Sequence, residues 1–276
     1  MQKKWIKVLI LAVVVLALLI VGTVTAGINN HPADTTSEPT IPQPTGNAVA
    51  PTGETGTEET QPAGLVLENG FYYLDGVMQK DTVVGDEVQG YFYLNKDGYR
   101  DDGYCNGLTI GDTDWNIIEG VATKVENEWD ECLHSALIDI GKCTDSSMSR
   151  EEKLRAGFDY IKDDTHYLEG VLHDPPYNAL DWPVVCSNDL FKEGMGDCFS
   201  YGAAFAFYGK ACGFDNCYAC NSGGHGWAEI DGKAYDPEWD MHHQEYNHFG
   251  VSPEDDCDVA YFTTLTDGVD WMYVKL

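Results

Sequence analysis

A two-residue turn, Asp231-Gly232, constrains the fold of this 276-residue chain more than any other feature of its sequence. Asp-Gly between two short strand-like runs is a strong signal for a type I′ β-hairpin, because both central residues of that turn need a positive φ. The turn also fixes the register of the strands, since Ile230 must then face Lys233. The sequence therefore predicts an antiparallel strand pair at this point.

The register places three functional side chains on one face of the hairpin. Trp227 falls opposite Asp236, and the alternation of side chains along a strand puts His225 on the same face as both. His225 and Asp236 become diagonal neighbours with Cβ atoms about 7 Å apart, which is within reach of a side-chain hydrogen bond. Pro237 ends the strand, because proline cannot donate to the ladder. We expect the Asp236 carboxylate to hold one nitrogen of the His225 imidazole.

A second pattern places a cysteine at the start of a helix. Asp197 is a typical N-cap, and the helix that it opens at Cys198 should end near Gly213. Unpaired amides and the positive end of the helix dipole stabilise a thiolate in the first turn. The Cys198 N–H is the expected donor to a developing oxyanion. With His225 and Asp236, this cysteine forms the constellation of nucleophilic catalysis.

Helices precede strands in the rest of the chain, which predicts an α+β fold. One helix is expected within Glu126–Ile140, and a capping box at Ser149 and Glu152 opens another that runs through Ile161. Further strands are predicted at Cys217–Cys220, Gly226–Ile230, Lys233–Asp236, Tyr261–Leu265 and Trp271–Val274.

Three aromatic residues are candidates for the walls of a substrate cleft: Tyr201, Trp227 and Trp182. Trp227 either belongs to the core or excludes water beside His225. Trp182 either lines the rim of a loop or anchors it. Three histidines after the hairpin fall in a predicted polar loop, where solvated or rim positions are favoured over metal ligation: His242, His243 and His248.

The first 27 residues predict export. Lys3, Lys4 and Lys7 precede an uncharged segment from Val8 to Ile28. The segment is a signal peptide or an uncleaved signal anchor, and its capacity to span about 30 Å favours the anchor. Positive residues stay on the cytoplasmic side, so the rest of the chain is expected at the outer face of the membrane, the cell surface or the medium.

Composition excludes nucleic acid and predicts a tether. The chain has 46 acidic against 16 basic residues, a net charge of −30, which repels phosphate backbones. Residues 28–64 are rich in Thr and Pro, with no aromatic or Cys. Such a segment cannot build a core, and it predicts a disordered linker.

Residues 65–106 contain two similar segments, Gly70–Gly76 and Gly90–Asn95, each expected to form a short β-hairpin. They resemble the cell-wall or choline-binding repeats of Gram-positive surface proteins, although only two copies are present and neither has the usual Trp. The resemblance implies a shallow site for wall glycan or choline. The alternative is a purely structural pair of hairpins.

All nine cysteines lie beyond residue 100. In an oxidising compartment they are expected to form disulfides, and the odd number leaves at least one thiol free or paired with another molecule. Two metal alternatives are disfavoured for an exported chain: an iron–sulfur cluster, and zinc held by some of the cysteines with His242 or His243. The cysteines that give the iron–sulfur spacing are Cys212, Cys217, Cys220 and Cys257. We expect no metal and no cofactor.

The stretch from Arg150 to Asp240 resembles the transglutaminase-like superfamily. The residues that carry the resemblance are Gly196, Cys198 and Tyr201, then His225 and Trp227, then Asp236 and Pro237. The family implies a papain-like α+β core for residues 107–276, with the nucleophile helix packed on an antiparallel sheet. It also implies a catalytic triad of Cys198, His225 and Asp236.

These residues predict an exported enzyme that attacks amide bonds of peptides or proteins through a thioester. Water as the acceptor makes it a peptidase or amidase, which the solvent-facing site favours slightly, whereas an amine makes it a crosslinking transglutaminase. The alternative is a non-catalytic surface adhesion or wall-binding protein with a disulfide-braced scaffold.

Overall fold

The computed structural model describes residues 64–172, 179–244, 246–252 and 272–276. These residues form five helices and fifteen strands, a mixture that confirms the α+β class. The helices are α1 (Glu128–Cys143), α2 (Arg150–Ile161), α3 (Trp182–Glu193), α4 (Cys198–Ala211) and α5 (Pro237–His242). The strands are β1 (Leu65–Glu68), β2 (Phe71–Leu74), β3 (Val77–Met78), β4 (Thr82–Asp86), β5 (Gly90–Leu94), β6 (Asn106–Ile110), β7 (Thr113–Ile118), β8 (Val121–Lys124), β9 (Leu168–Glu169), β10 (Met195–Gly196), β11 (Cys217–Asn221), β12 (Gly226–Ile230), β13 (Lys233–Tyr235), β14 (Phe249–Val251) and β15 (Met272–Lys275).

Helix α4 is the centre of the molecule. Twelve of its 14 residues are buried, and it packs against all four other helices and against β11 and β12. A helix covered on every side needs no polar face, so its sequence is apolar all round. The predicted boundaries are confirmed, because Asp197 caps the start and the helix ends before Gly213.

The sheet beside α4 has the strand order β14-β13-β12-β11-β15 and is antiparallel throughout. The predicted hairpin lies in it, with Ile230 opposite Lys233. Asp231 has φ 48° and Gly232 has φ 75°, the positive values that a type I′ turn requires. The register derived from the sequence is therefore confirmed up to Tyr235, where the ladder ends.

The helix expected within Glu126–Ile140 and the capping box expected at Ser149 are both found. Asn127 accepts hydrogen bonds from two amides of α1. Ser149 and Glu152 form the reciprocal capping box of α2. Both helices pack on α4, so this local chemistry sets where the helical layer begins.

The two aromatic segments near the amino end lie in different sheets. Gly70–Gly76 contains β2, the middle strand of the sheet β1-β2-β3, whereas Gly90–Asn95 contains β5, in the sheet β4-β5-β8-β7-β6. Strand β5 pairs with β8, so this second sheet joins residues on both sides of position 107. The predicted hairpins are thus parts of larger sheets, since neighbouring strands were available to cover their edges.

Two helices replace predicted loops. Trp182 is the first residue of α3, and Pro183 follows it in the first helical turn, where a missing N–H costs nothing. His242 ends α5, which starts at Pro237 directly after Asp236. The same rule applies to Pro237, which ends β13 and also starts a helix.

Several predictions fall on residues outside the described ranges. These are the export segment 1–27, nearly all of the linker 28–64, the strand Tyr261–Leu265 and Cys257. The described residues all belong to the second of two units, Glu59–Leu276. Within the described part of the chain, no helix has the length and apolar character needed to cross a membrane.

Candidate functional site

Cys198 is the first residue of the central helix, and its position is set by the Asp197 cap. The Asp197 carboxylate accepts hydrogen bonds from the Phe199 N–H at 3.0 Å and the Ser200 N–H at 3.2 Å. Of the first three helix amides, the Cys198 N–H is the one that this cap does not use. Burial raises the pKa of Asp197 against the effect of its hydrogen bonds. Because Cys198 is the first residue of the helix, its sulfur lies where the helix dipole favours negative charge.

Two glycines bring this helix into direct contact with the strand that follows His225. A Cβ added at Gly202 would lie 2.6 Å from the Trp227 backbone nitrogen, and one at Gly226 would lie 2.6 Å from the Phe199 Cα. Both distances are shorter than a carbon atom can tolerate. Glycine at these two positions lets helix and strand touch backbone to backbone, and so brings the cysteine near the histidine.

The hairpin brings His225 to Asp236. The imidazole Nε2 lies 2.5 Å from Asp236 Oδ2, and both side chains are 5% exposed. The other carboxylate oxygen, Oδ1, accepts a hydrogen bond from the Trp239 N–H at 2.9 Å and so caps α5. Asp236 is thereby fixed from two directions, as an orienting carboxylate must be.

The imidazole has a second partner, Cys198. Burial opposes the charged ring, but the charge and hydrogen bond of Asp236 and a hydrogen bond with the Cys198 side chain together raise the pKa of His225 well above its ordinary value. Because Asp236 binds Nε2, the ring nitrogen that remains for the thiol is Nδ1. An imidazole between a sulfur and a carboxylate can move a proton to and from the sulfur.

Two tryptophan rings flank the imidazole. Trp227 stacks near His225 with ring centres 6.4 Å apart, and Trp239 meets it edge-on at 5.3 Å. Both rings exclude water from the charged pair, which strengthens its electrostatic interaction. Sequence analysis did not identify Trp239 as part of the site. The available signal was Asp236 before Pro237, an N-cap and helix start that puts Trp239 in the first turn of a helix.

The three predicted cleft aromatics are buried. Tyr201 and Trp227 are each 1% exposed and Trp182 is 0% exposed. Trp182 packs edge-on against Phe199, the residue after the cysteine, at 6.4 Å. Burial, followed by the charges of Glu169 and Glu238, raises the pKa of Tyr201. All three therefore support the site from inside the protein.

The described cysteines are all unbonded thiols. No disulfide is formed among these eight residues, so the expected pairing is not found in the part of the chain that the structure describes. Only Cys143 and Cys198 among them are partly exposed. Burial raises the pKa of Cys132, Cys143, Cys186, Cys212, Cys217 and Cys220.

The later histidines occupy three different environments. His242 is about half exposed and bonds to Glu169, whereas His248 is 4% exposed and lies 3.4 Å from Asp240. His243 stacks on Trp239 at 4.4 Å. The solvated or rim position expected for all three is therefore wrong for His248, because the backbone of its segment pairs with Asp236 inside the fold.

Two groups of side chains in the described ranges bring three potential metal ligands together, within 4.8 Å of one another. One comprises Glu169, Glu238 and His242, and the other His225, Asp236 and Glu238. Sequence reasoning missed Glu169 and Glu238. The Glu-x3-His spacing of Glu238 and His242 on a helix was the available signal. Neither group contains a cysteine.

A separate cavity of about 510 Å³ lies beside the second amino-terminal sheet. Asp81, Tyr93, Asp101 and Tyr104 line it, with the carboxyl end of α1 on its other side. The two tyrosine rings stack at 4.4 Å, and the Tyr93 hydroxyl donates to Asp81.

No family model matches the chain, and no curated protein or solved structure matches it.

Proposed function

We propose that this chain is a cysteine-dependent acyl-transfer enzyme that acts on amide bonds of peptides or proteins. Cys198 is the nucleophile, His225 the acid and base, and Asp236 the orienting carboxylate. The observation that carries the proposal is the position of one buried imidazole between the Asp236 carboxylate, at 2.5 Å, and the Cys198 side chain. An imidazole that is held by a carboxylate and bonded to a cysteine at a helix N-terminus activates the thiol for attack.

The reaction proceeds in two halves. The Cys198 sulfur attacks the amide carbonyl carbon, and the tetrahedral oxyanion points toward the Cys198 N–H. Collapse breaks the C–N bond, and the His225 imidazolium gives its proton to the departing ammonia or amine. The product is a thioester on Cys198.

The acceptor decides whether the enzyme hydrolyses or crosslinks. His225 removes a proton from water or from a primary amine, the acceptor attacks the thioester, and the sulfur leaves as a thiolate. Hydrolysis is favoured, because Cys198 is partly exposed and water reaches a solvent-facing thioester at high concentration. A peptidase or amidase is therefore the preferred form of the proposal.

The transglutaminase-like superfamily, with its papain-like core, is the family that fits this arrangement. Support comes from the nucleophile helix α4, which packs on an antiparallel sheet, and from the chain order of cysteine, histidine and aspartate. The export segment predicted from the sequence would put the enzyme at the outer face of the membrane, at the cell surface or in the medium, where it would meet peptide substrates.

Selective alkylation tests the nucleophile without a known substrate. In the native protein near neutral pH, iodoacetamide should modify Cys198 faster than Cys143, which is also partly exposed but whose pKa is raised to about 11 by burial. Peptide mass spectrometry measures both rates in one sample. His225→Ala should slow labelling of Cys198 and leave Cys143 unchanged. Equal rates at the two thiols in the native protein would contradict the proposal.

A glutamine-containing peptide tests the chemistry. Hydrolysis should convert the glutamine to glutamate or cleave the peptide into shorter products, and mass spectrometry distinguishes the two. Cys198→Ala should abolish both products. A parallel reaction with an added primary amine detects crosslinking as an amine adduct. If the amine adduct is the main product, the enzyme transfers acyl groups to amines and hydrolysis is not its main reaction.

A second candidate function is wall binding through residues 65–106, for which the cavity at Tyr93 and Tyr104 is the favouring observation. Stacked tyrosines beside carboxylates suit a sugar ring or a choline cation. Binding to insoluble cell wall should fall in Tyr104→Ala. The matched control is Tyr99→Ala, which removes an exposed ring that packs on Phe71. Equal binding by both variants would reject this site.

A further inference from the structure

Three side chains with metal-binding atoms converge next to the candidate catalytic pair. Glu169 ends β9, and Glu238 and His242 lie four residues apart in α5, on one face of the helix. Strand β9 pairs with β10, which leads directly into Cys198. The cluster therefore joins β9, whose partner strand leads to Cys198, and α5, which is capped by Asp236.

The distances within the cluster suit a tetrahedral ion after a small adjustment. His242 Nε2 lies 2.6 Å from Glu169 Oε1 and 3.6 Å from Glu238 Oε1. Ligands about 2.0–2.1 Å from a tetrahedral zinc are about 3.3 Å apart. The first distance must open by less than about 1 Å. The Glu169 side chain is 44% exposed and has room to move.

The cluster carries more negative than positive charge. Glu169 and Glu238 are the two acidic groups of the three. His242 is the single basic group of the three. A divalent cation would offset the repulsion between the carboxylates.

We propose that Glu169, Glu238 and His242 bind a zinc ion. One imidazole with two carboxylates is a ligand set for Zn²⁺, whereas Ca²⁺ and Mg²⁺ prefer oxygen ligands alone. Water takes the fourth position, because Glu169 and His242 both open to solvent. The ion ties β9 to α5. This inference does not depend on the proposed catalysis, since its test measures binding.

Isothermal titration of the full chain with zinc tests the proposal. The measurements use a Cys198→Ala background, so that the candidate nucleophile cannot bind the metal. One zinc equivalent should bind per chain, and zinc should raise Tm. His242→Ala and Glu238→Gln should each weaken binding by roughly tenfold or more, since even a lost supporting group of a metal site costs that much. Calcium should neither bind with similar affinity nor displace zinc.

His166 provides the matched control. It pairs with Asp163 at 3.8 Å, three residues away on the surface, so it is a similar histidine–carboxylate pair without a second carboxylate in the group. His166→Ala should bind zinc as the background protein does. Circular dichroism confirms that each variant is folded.

Three outcomes would overturn the proposal. Zinc affinity that is unchanged in folded His242→Ala places the ion elsewhere. Affinity lost in His225→Ala but kept in His242→Ala assigns the ion to the neighbouring group of His225, Asp236 and Glu238. Tighter binding of calcium than of zinc shows that the imidazole takes no part.

Discussion

Two buried carboxylates, Asp236 and Asp139, are held in opposite ways. They are equally inaccessible, at 3% and 4% exposed. Asp236 meets the His225 ring and one backbone amide. Asp139 accepts hydrogen bonds from the hydroxyls of Tyr167 and Tyr208, the second at 2.8 Å, and from Lys142 at 3.0 Å.

The partners decide what each carboxylate can do. Burial raises the pKa of Tyr167 and Tyr208, so both hydroxyls keep their protons near neutral pH and remain donors. Asp139 therefore links α1 to α4 and to the segment before β9. The partner of Asp236 is an imidazole, which can both donate and accept a proton. Similar burial thus accompanies a tyrosine-bound structural link at Asp139 and a histidine–carboxylate pair at Asp236.

Helix α4 connects the two regions. Cys198 begins it and Tyr208 lies ten residues later, about 15 Å along the axis. The Asp139 cluster thus fixes the far end of the helix whose near end presents the thiol. Variants at the two carboxylates should separate a loss of rate from a loss of stability.

Asp236→Asn should have the largest effect on rate. Asparagine can still accept the Trp239 N–H and cap α5, but it cannot stabilise the imidazolium or fix its tautomer. We expect kcat on a glutamine peptide to fall about 10⁴-fold, whereas the weakened hydrogen bond to the charged ring should cost only about 1.5–3 kcal/mol of unfolding free energy. Near-normal kcat would show that Asp236 does not orient the ring.

Asp139→Asn should lower stability without lowering the rate. Hydrogen bonds to a charged group are worth about 1.5–3 kcal/mol, so we expect the free energy of unfolding to fall by about that amount in urea titrations. Activity at 25 °C should stay close to that of the unaltered protein. Asp159→Asn is the control, because Asp159 pairs with Arg155 on the surface, where such pairs contribute little. If both substitutions lower the free energy of unfolding equally, Asp139 does not have the structural role described here.

Two glycines sharpen the comparison further. Gly202→Ala forces a Cβ against the backbone of Trp227, whereas Gly157→Ala meets only side-chain atoms of Ile140 and Tyr208, near the other end of α4. We expect Gly202→Ala to cost about 1–3 kcal/mol and to lower kcat by separating Cys198 from His225. Gly157→Ala should cost less and leave kcat intact. The reverse order, measured by urea unfolding and peptide turnover, would contradict the close contact at β12.

The His225–Asp236 contact and the position of Cys198 at a helix start could be predicted from the sequence, because both depend on local signals. An Asp-Gly turn set the register of the strands, and an aspartate cap set the start of α4. The link at Asp139 could not be predicted. Its tyrosine partners are 28 and 69 residues away, a separation at which no turn or helix period places side chains together.

The helix α5 was not predicted because Pro237, its first residue, has two roles. Pro237 ends a strand and begins α5, and only the first role was read from the sequence. The second role carries Glu238, Trp239 and His242 into the neighbourhood of the site. A proline after a capping residue is as good a helix start as a strand stop, and tertiary packing decides between them.

A pH profile tests the comparison most finely. His225 has a pKa well above its ordinary value, so the imidazolium persists to higher pH and the reactive pair is lost only as pH rises through that raised value. Asp236→Asn removes the charge that raises the pKa, while burial, which lowers it, remains. The alkaline limb of kcat/KM should therefore move to lower pH. Asp240→Asn should not move it, because Asp240 pairs with Lys162 at 2.6 Å and with His248. An alkaline limb that stays in place in Asp236→Asn would mean that another group supplies the charge.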